Sequence, residues 1–304
     1  MDAEPYTPEL PAPERRTRAA VAAAGAGILV GAAMVATRSV VHQTGPASLA
    51  LLRYAIGFCC LLPPALMTRR LRFEPRDLLP IALLGIVQFG ILIALLNYAL
   101  RFIPSARGAL IFATVPLLTM LLAAALGREV LSPAKAIGVL LTIAGVGVTL
   151  GEAALQRGIG GNEWMGEVAA GASAACGAVT SVLYRPYLRK YPTLPVSAVA
   201  MLASVVFLAF LAAGEGFFAA WPSFTRSGWA AIGFIGLASG IGYYLWLWAL
   251  NNTTPTRVTV FLALSPITAA GLGAGLLGET LSSATLLGLV CVVLGLVVSH
   301  RKSP

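Results

Sequence analysis

The chain has 304 residues, 58% of them hydrophobic and only 11% charged, with a mean hydropathy of +0.85. A soluble globule of this size carries about a quarter charged residues, so composition excludes a water-soluble fold. The net charge of +9 does not point to nucleic acid, because the cations lie in short segments between apolar runs.

Residues 1–17 form a polar, proline-containing tail, expected to be cytoplasmic. The first apolar run, near 18–41, exceeds the roughly 7–15 residues of a signal-peptide core and has no clear cleavage site, so it reads as a retained span. Nine further candidate helices follow near 47–67, 77–100, 105–126, 133–151, 163–184, 193–214, 226–250, 255–277 and 282–299. Each approaches the roughly 20 residues that cross a hydrocarbon core of ~30 Å. Connections are short, and residues 300–304 form a second short tail. The expected fold is all-α and polytopic, in a lipid bilayer.

Loop charge sets the expected direction. With the N-terminus inside, the outer segments hold Arg101, Arg107, Arg157 and Arg226, and Arg38 and Arg53 fall within spans. The remaining fifteen of the 21 Lys and Arg residues lie inside. That asymmetry predicts an even span count and both termini in the cytoplasm. Trp164, Trp221 and Trp229 fall near outer helix ends, where interfacial aromatics belong. The cysteines, Cys59, Cys60, Cys176 and Cys291, lie in apolar runs without metal-ligand spacing and are read as small buried hydrophobes.

A shift of about 150 residues superimposes the chain on itself. Ala99–Leu100 falls on Ala249–Leu250, Arg107 on Arg257, Pro116 on Pro266 and Glu129 on Glu279. Leu131–Ser132 falls on Leu281–Ser282, Gly138 on Gly288 and Gly145 on Gly295. Coincident Arg, Pro, Glu and Ser at one offset mark an internal repeat, 18–151 and 163–299. Five spans per copy is odd, so the second copy is expected upside down. Such inverted repeats are the architecture of many secondary transporters, with the substrate near the midplane.

Asn97-Tyr98-Ala99-Leu100, Pro116 and Gly127-Arg128-Glu129, with the second set Trp248-Ala249-Leu250, Pro266 and Gly278-Glu279, resemble the EamA domain of the drug/metabolite transporter superfamily. The resemblance covers nearly the whole chain and is closest to exporters of aromatic and other neutral amino acids. It implies an inner-membrane permease, with no cofactor and with a small-molecule substrate.

Read one by one, Pro116 and Pro266 are expected mid-helix, each freeing the carbonyl four residues earlier, Phe112 or Leu262, as a kink or hinge. Glu129 and Glu279 are expected to serve the starts of the helices after Ser132 and Ser282. Arg38 and Arg53 are the embedded charges, candidates for structural pairing, gating or a substrate carboxylate; Arg38 is included in the expected site. On the eighth span Ser239, Tyr243 and Trp246 share a face, with Tyr244 and Trp248 nearly opposite, and Gly236 and Gly240 permit close contact. Gln88 on the third span and the stripe Ser173, Gly177, Thr180, Ser181 on the sixth complete the expected substrate-binding set.

None of the 12 acidic residues lies near a span centre. Proton-coupled carriers of cations commonly use an intramembrane carboxylate, so export of a small neutral amino acid without an obligatory proton gradient is the expected function. The alternatives are a phosphate-ester or nucleotide-sugar exchanger, which needs more cavity cations, and an intramembrane enzyme, which needs an acid–base or metal cluster.

Overall fold

The computed structural model describes residues 13–67, 73–127, 133–156, 162–219, 222–252, 261 and 264–299. Its helices are α1 (Pro13–Val40), α2 (Pro46–Met67), α3 (Pro75–Gly85), a π-helical turn (Ile86–Ile91), α4 (Leu92–Ala99), α5 (Ser105–Phe112), α6 (Val115–Ala125), α7 (Pro133–Gln156), α8 (Glu163–Leu183), α9 (Arg185–Lys190), α10 (Thr193–Gly214), α11 (Arg226–Asn252), α12 (Leu264–Leu277) and α13 (Ser283–Ser299). No strand occurs among the described residues. Among the described residues, seven helical stretches are long and apolar enough to cross a bilayer, and three shorter apolar helices accompany them. This is a multi-pass membrane protein.

The surface is what such a protein needs. Phe210 is 74% exposed, Leu276 72% and Leu140 65%, a cost in water but a match to lipid tails. All backbone polar groups at that depth must be satisfied within the segment, which helices alone achieve in an open bundle.

Long-range helix pairs build the bundle. α1 packs on α11 and α12, while α8 packs on α4 and α6; α2 lies on α10, and α7 on α13 (Ser283–Ser299). The last pair is seamed by glycine. A Cβ on Gly145 would lie 2.7 Å from Gly288 O, and one on Gly295 would lie 2.6 Å from Gly138 O. Under the 150-residue shift these two contacts exchange. Small residues permit such close approach, and packing is what drives helix association in lipid.

Two expectations change. Pro116 does more than kink its helix: the span divides into α5 and α6, and Pro116 sits in the first turn of α6, where its missing N–H is harmless. Leu117 N and Leu118 N both turn back to Thr114 O at 3.0 Å. Pro266 lies in α12, and Leu262, whose carbonyl it was expected to free, lies outside the described residues. Cys59 is exposed and Cys60, Cys176 and Cys291 are half-buried, because an apolar run in a membrane has a lipid face as well as a protein face. Glu129, Ser132, Trp221 and Arg257 lie outside the described residues.

Candidate functional site

Ser239 lies halfway along α11, about 20 Å from its start at 1.5 Å per residue. The helix approaches α2 closely there, because a Cβ on Gly236 would lie 2.5 Å from Ile56 Cβ and one on Gly240 3.0 Å from Cys60 Cβ. That approach brings Arg53 of α2 within reach. Its Nε donates to Ser239 Oγ at 2.6 Å, and Ser239 Oγ donates to Ile235 O at 2.7 Å. One turn on, Tyr243 meets Phe89 edge-on at 5.2 Å, and Phe89 meets Tyr54 at the same separation. Ser197 Oγ approaches Tyr243 OH at 3.4 Å. Four helices thus meet around one polar and aromatic cluster.

Trp246 does not join it. Three residues beyond Tyr243 a helix has turned about 60° away from the starting direction, and that flank belongs to α1. Trp246 packs with Leu245 and Trp248 on Ala22, Ala23 and Ala249. Tyr244 is 44% exposed, on the side away from the cluster.

Gln88 lies in the π-helical turn, which widens the ring by one residue and so turns its side chain out of helical register. Thr180 Oγ1 donates to Gln88 Oε1. Seven residues earlier on α8, Ser173 Oγ donates to Leu92 O at 2.8 Å, just past the turn. Ser173 and Thr180 are both 0% exposed, so they hold the π-turn from behind, and Gln88 is the half-buried group of the three. Ser204, buried in α10, faces Gly90 of the same turn, where a Cβ would lie 3.3 Å from its Oγ. Among the described residues neither Ser204 Oγ nor Tyr184 OH has a hydrogen-bond partner. A buried polar atom left so costs about 1–3 kcal/mol, which water or a polar solute in the cluster would recover.

One end of the bundle is tied by charge. Glu215, beyond α10, accepts from Ala47 N at 3.0 Å, Ser48 N at 2.8 Å and Ser48 Oγ at 2.6 Å, the first turn of α2. Glu279, beyond α12, accepts from Ser105 N at 2.9 Å and Ser105 Oγ at 2.5 Å, the start of α5. Carboxylates complement the positive ends of helices. Glycine makes room for both, since a Cβ on Gly45 or Gly273 would collide with the respective carboxylate. This corrects the expected role of Glu279, which serves the start of α5 and not the helix after Ser282; Ser282 Oγ caps that one itself, accepting from Thr285 N at 3.1 Å.

Arg38 belongs to the same end. Its Nη1 donates to Leu100 O, and its Nε lies 3.9 Å from Glu279 Oε1, so it is placed in the closure and not in the central cluster. Arg107 pairs with Glu163 at 2.5 Å and Glu167 at 3.5 Å. At the other end Lys190 pairs with Glu74 and Asp77, each at 2.6 Å. The hydrogen bond from Lys190 holds the Glu74 carboxyl below its ordinary range, and the same contacts to Asp77 and Glu74 raise the ammonium of Lys190. Among the described residues no three His, Cys, Asp or Glu side chains gather as a metal site.

Comparison with known proteins gives this architecture its family. Residues 17–151 and again 164–300 match the EamA-like transporter family. The chain belongs to that family. It is 29% identical over 282 residues to YedA, an uncharacterized inner membrane transporter of Escherichia coli (strain K12), covering 89% of this chain and 87% of YedA. An uncharacterized transporter of Clostridium kluyveri is 21% identical over 85% of this chain and 84% of its own. A probable terminal-alkyne amino-acid exporter of Streptantibioticus cattleyicolor is 28% identical, covering 85% of each chain. A solved crystal structure superimposes with a TM-score of 0.69 at 26% identity, covering 92% of this chain and 97% of that one. For an EamA-like transporter the cluster offers neutral hydrogen bonders, aromatic edges and one cation. Sequence reasoning missed Tyr54, Phe89 and Ser204; their signal was only that each faces inward at midspan, which an apolar helix does not advertise.

Proposed function

We propose that this protein exports small neutral amino acids, aromatic or otherwise apolar, across the cytoplasmic membrane by alternating access. Ten spans form two inverted five-helix repeats, 18–151 and 163–299, with both termini cytoplasmic. The double match to the EamA-like family supports the repeat, as does the exchange of the Gly145–Gly288 and Gly138–Gly295 contacts under the sequence shift. The end tied by Glu215 and Glu279 is then the outer one, closed in this structure.

The observation that carries the substrate reading is the cluster of Arg53, Ser239, Tyr243, Phe89 and Tyr54, with Gln88 beside Phe89 in the π-turn and unpartnered polar atoms at Ser204 and Tyr184. Polar groups at this depth bind one another or a solute, since lipid offers them nothing. Gln88 and Tyr243 are the contact residues; Ser173 and Thr180 position Gln88, Arg38 acts in the closure, Pro116 marks the bend where α6 begins, and Pro266 is its hinge counterpart in the second half. The Streptantibioticus relative, a probable exporter of an amino acid, favours the same class of solute.

Reconstituted protein should exchange labelled phenylalanine, leucine or a similar neutral amino acid across a vesicle membrane without a pH difference or potential. Uphill accumulation that requires an imposed pH gradient and vanishes with a protonophore would overturn the uncoupled mechanism. A panel in which no amino acid moves, but phosphate esters do, would overturn the substrate class.

A further inference from the structure

We propose that Arg53 is the anchor for the substrate's carboxylate and that the site therefore selects acids over the corresponding amines. This rests on the export reading above and names the chemical group that the central cluster recognises.

Arg53 lies seven residues into α2, about 10 Å below the start of the helix. A cation at that depth is held by a counter-charge, by carbonyls or by an aqueous solute. Three other arginines of that end have such partners. Arg38 has Leu100 O and Glu279, Arg101 has Val41 O at 3.2 Å and Thr44 O at 2.5 Å, and Arg107 has Glu163 and Glu167. Among the described residues no carboxylate pairs with Arg53. Its contacts are one hydroxyl oxygen, Ser239 Oγ, and the face of the Tyr54 ring at 5.7 Å.

The manner of that contact matters. Ser239 directs its single proton to Ile235 O, so it meets Arg53 as an acceptor only. It fixes the guanidinium plane through Nε and cancels none of its charge. A guanidinium oriented through Nε presents its two terminal amino groups as a fork, the geometry that binds a carboxylate through two parallel hydrogen bonds. One helical turn from Ser239 stands Tyr243, continuous with Phe89 and Tyr54. A cationic fork beside an aromatic wall fits a carboxylate carried on an apolar body. For an ammonium group the cluster offers only neutral acceptors, such as Tyr243, with Gln88 in the adjoining π-turn, under the repulsion of Arg53.

The test uses full-length purified protein and three probes that share one ring: L-phenylalanine, phenylacetate and phenethylamine. Thermal stabilisation reports binding, and vesicle counterflow reports transport. Both acids should stabilise the wild type, and the amine should not at the same concentration. Arg53→Gln should weaken binding of the acids by tenfold to a hundredfold and erase the preference over the amine. Arg53→Lys should keep part of the preference, as a charge without the fork. If Arg53→Gln does not fold, Ser239→Ala decides, because it leaves the charge and removes only its orientation; acid binding should fall several-fold. Undiminished binding of phenylalanine by Arg53→Gln, or by Ser239→Ala where the first does not fold, overturns the anchor and leaves the export reading standing. Binding of phenylacetate but not phenylalanine, lost in Arg53→Gln, supports the anchor and overturns the amino-acid reading. A wild type that binds neither acid overturns both.

Discussion

Tyr243 and Tyr244 are neighbours in sequence and belong to different worlds in the fold. Tyr243 touches Phe89 and stands near Ser197, whereas Tyr244 is exposed beside Trp248, Val21 and Arg18 along a groove of about 460 Å³. Tyr243→Ala and Gln88→Ala should each weaken amino-acid transport five- to a hundredfold, the scale of a lost buried hydrogen bond of ~1–3 kcal/mol, with protein still folded in the membrane. Tyr244→Ala should do far less, and the reverse ranking in a counterflow assay would turn the helix by about 100°. Lys190 gives a residue-level prediction of another kind. The Glu74 carboxyl is depressed in the fold, so its contribution is present above the ordinary value of 4.5 and is lost as pH falls through its folded value. Lys190 is raised, so its share is complete below its ordinary 10.5 and is lost only as pH rises through its folded value. Lys190→Ala should therefore lower the melting temperature slightly at pH 7, and the difference from wild type should shrink towards pH 3.

At the scale of the element, the third span shows what periodicity reveals and what it hides. Its existence, its near-central Gln88 and its polar partner stripe on α8 were legible, because length, hydropathy and 3.6-residue spacing dictate them. The π-turn at Ile86–Ile91 was not, since one extra residue in a uniformly apolar run leaves no trace in composition. Pro116 announced a bend, but how far the span would divide depended on the Ala113–Thr114 turn and its neighbours. Trp246 was assigned to the wrong flank for a related reason, because a helical wheel gives angles and not the positions of α1 and α10. The Gly236–Gly240 contact was legible as a motif, and the structure adds its partner, α2. Gly236→Leu should therefore displace α2, where a Cβ already meets Ile56 Cβ at 2.5 Å, and separate Arg53 from Ser239. Such overpacking costs about 1–3 kcal/mol or more. The expected result is a lowered melting temperature together with loss of transport, while Gly233→Leu, whose Cβ has nothing within 4 Å, should leave both nearly unchanged.

For the whole molecule the decisive feature is that Glu215 and Glu279, the carboxylates seated on helix starts at the tied end, both come from the second half of the chain and both seat on helices of the first. Glu215 holds the start of α2 and Glu279 the start of α5, so separating the halves at that end must break both. Topology is the prior question. With an impermeant thiol reagent on intact cells, Gln156→Cys should be labelled and Ser303→Cys should not; the opposite pattern would invert the whole assignment and make this the inner end. Given that orientation and the proposed alternating access, a two-state equilibrium is expected in which these contacts stabilise the outward-closed state alone. Hydrogen bonds to a charged group contribute about 1.5–3 kcal/mol each, and the helix-end charge a further 0.3–1 kcal/mol or so. Glu279→Gln keeps the size of the side chain and removes the charge, so a loss near 1.4 kcal/mol is a conservative expectation and shifts the equilibrium about tenfold. Met201, fully buried in the core between α2 and α10, reports the opening when replaced by cysteine in a background lacking the four native ones. An impermeant maleimide added from outside should label Met201→Cys about tenfold faster when Glu279→Gln is also present, and faster still with Glu215→Gln. Addition of a transported amino acid should alter that rate, since solute binding and opening share one equilibrium. Labelling that stays equally slow in all three backgrounds would mean that Glu215 and Glu279 cap their helices without gating access.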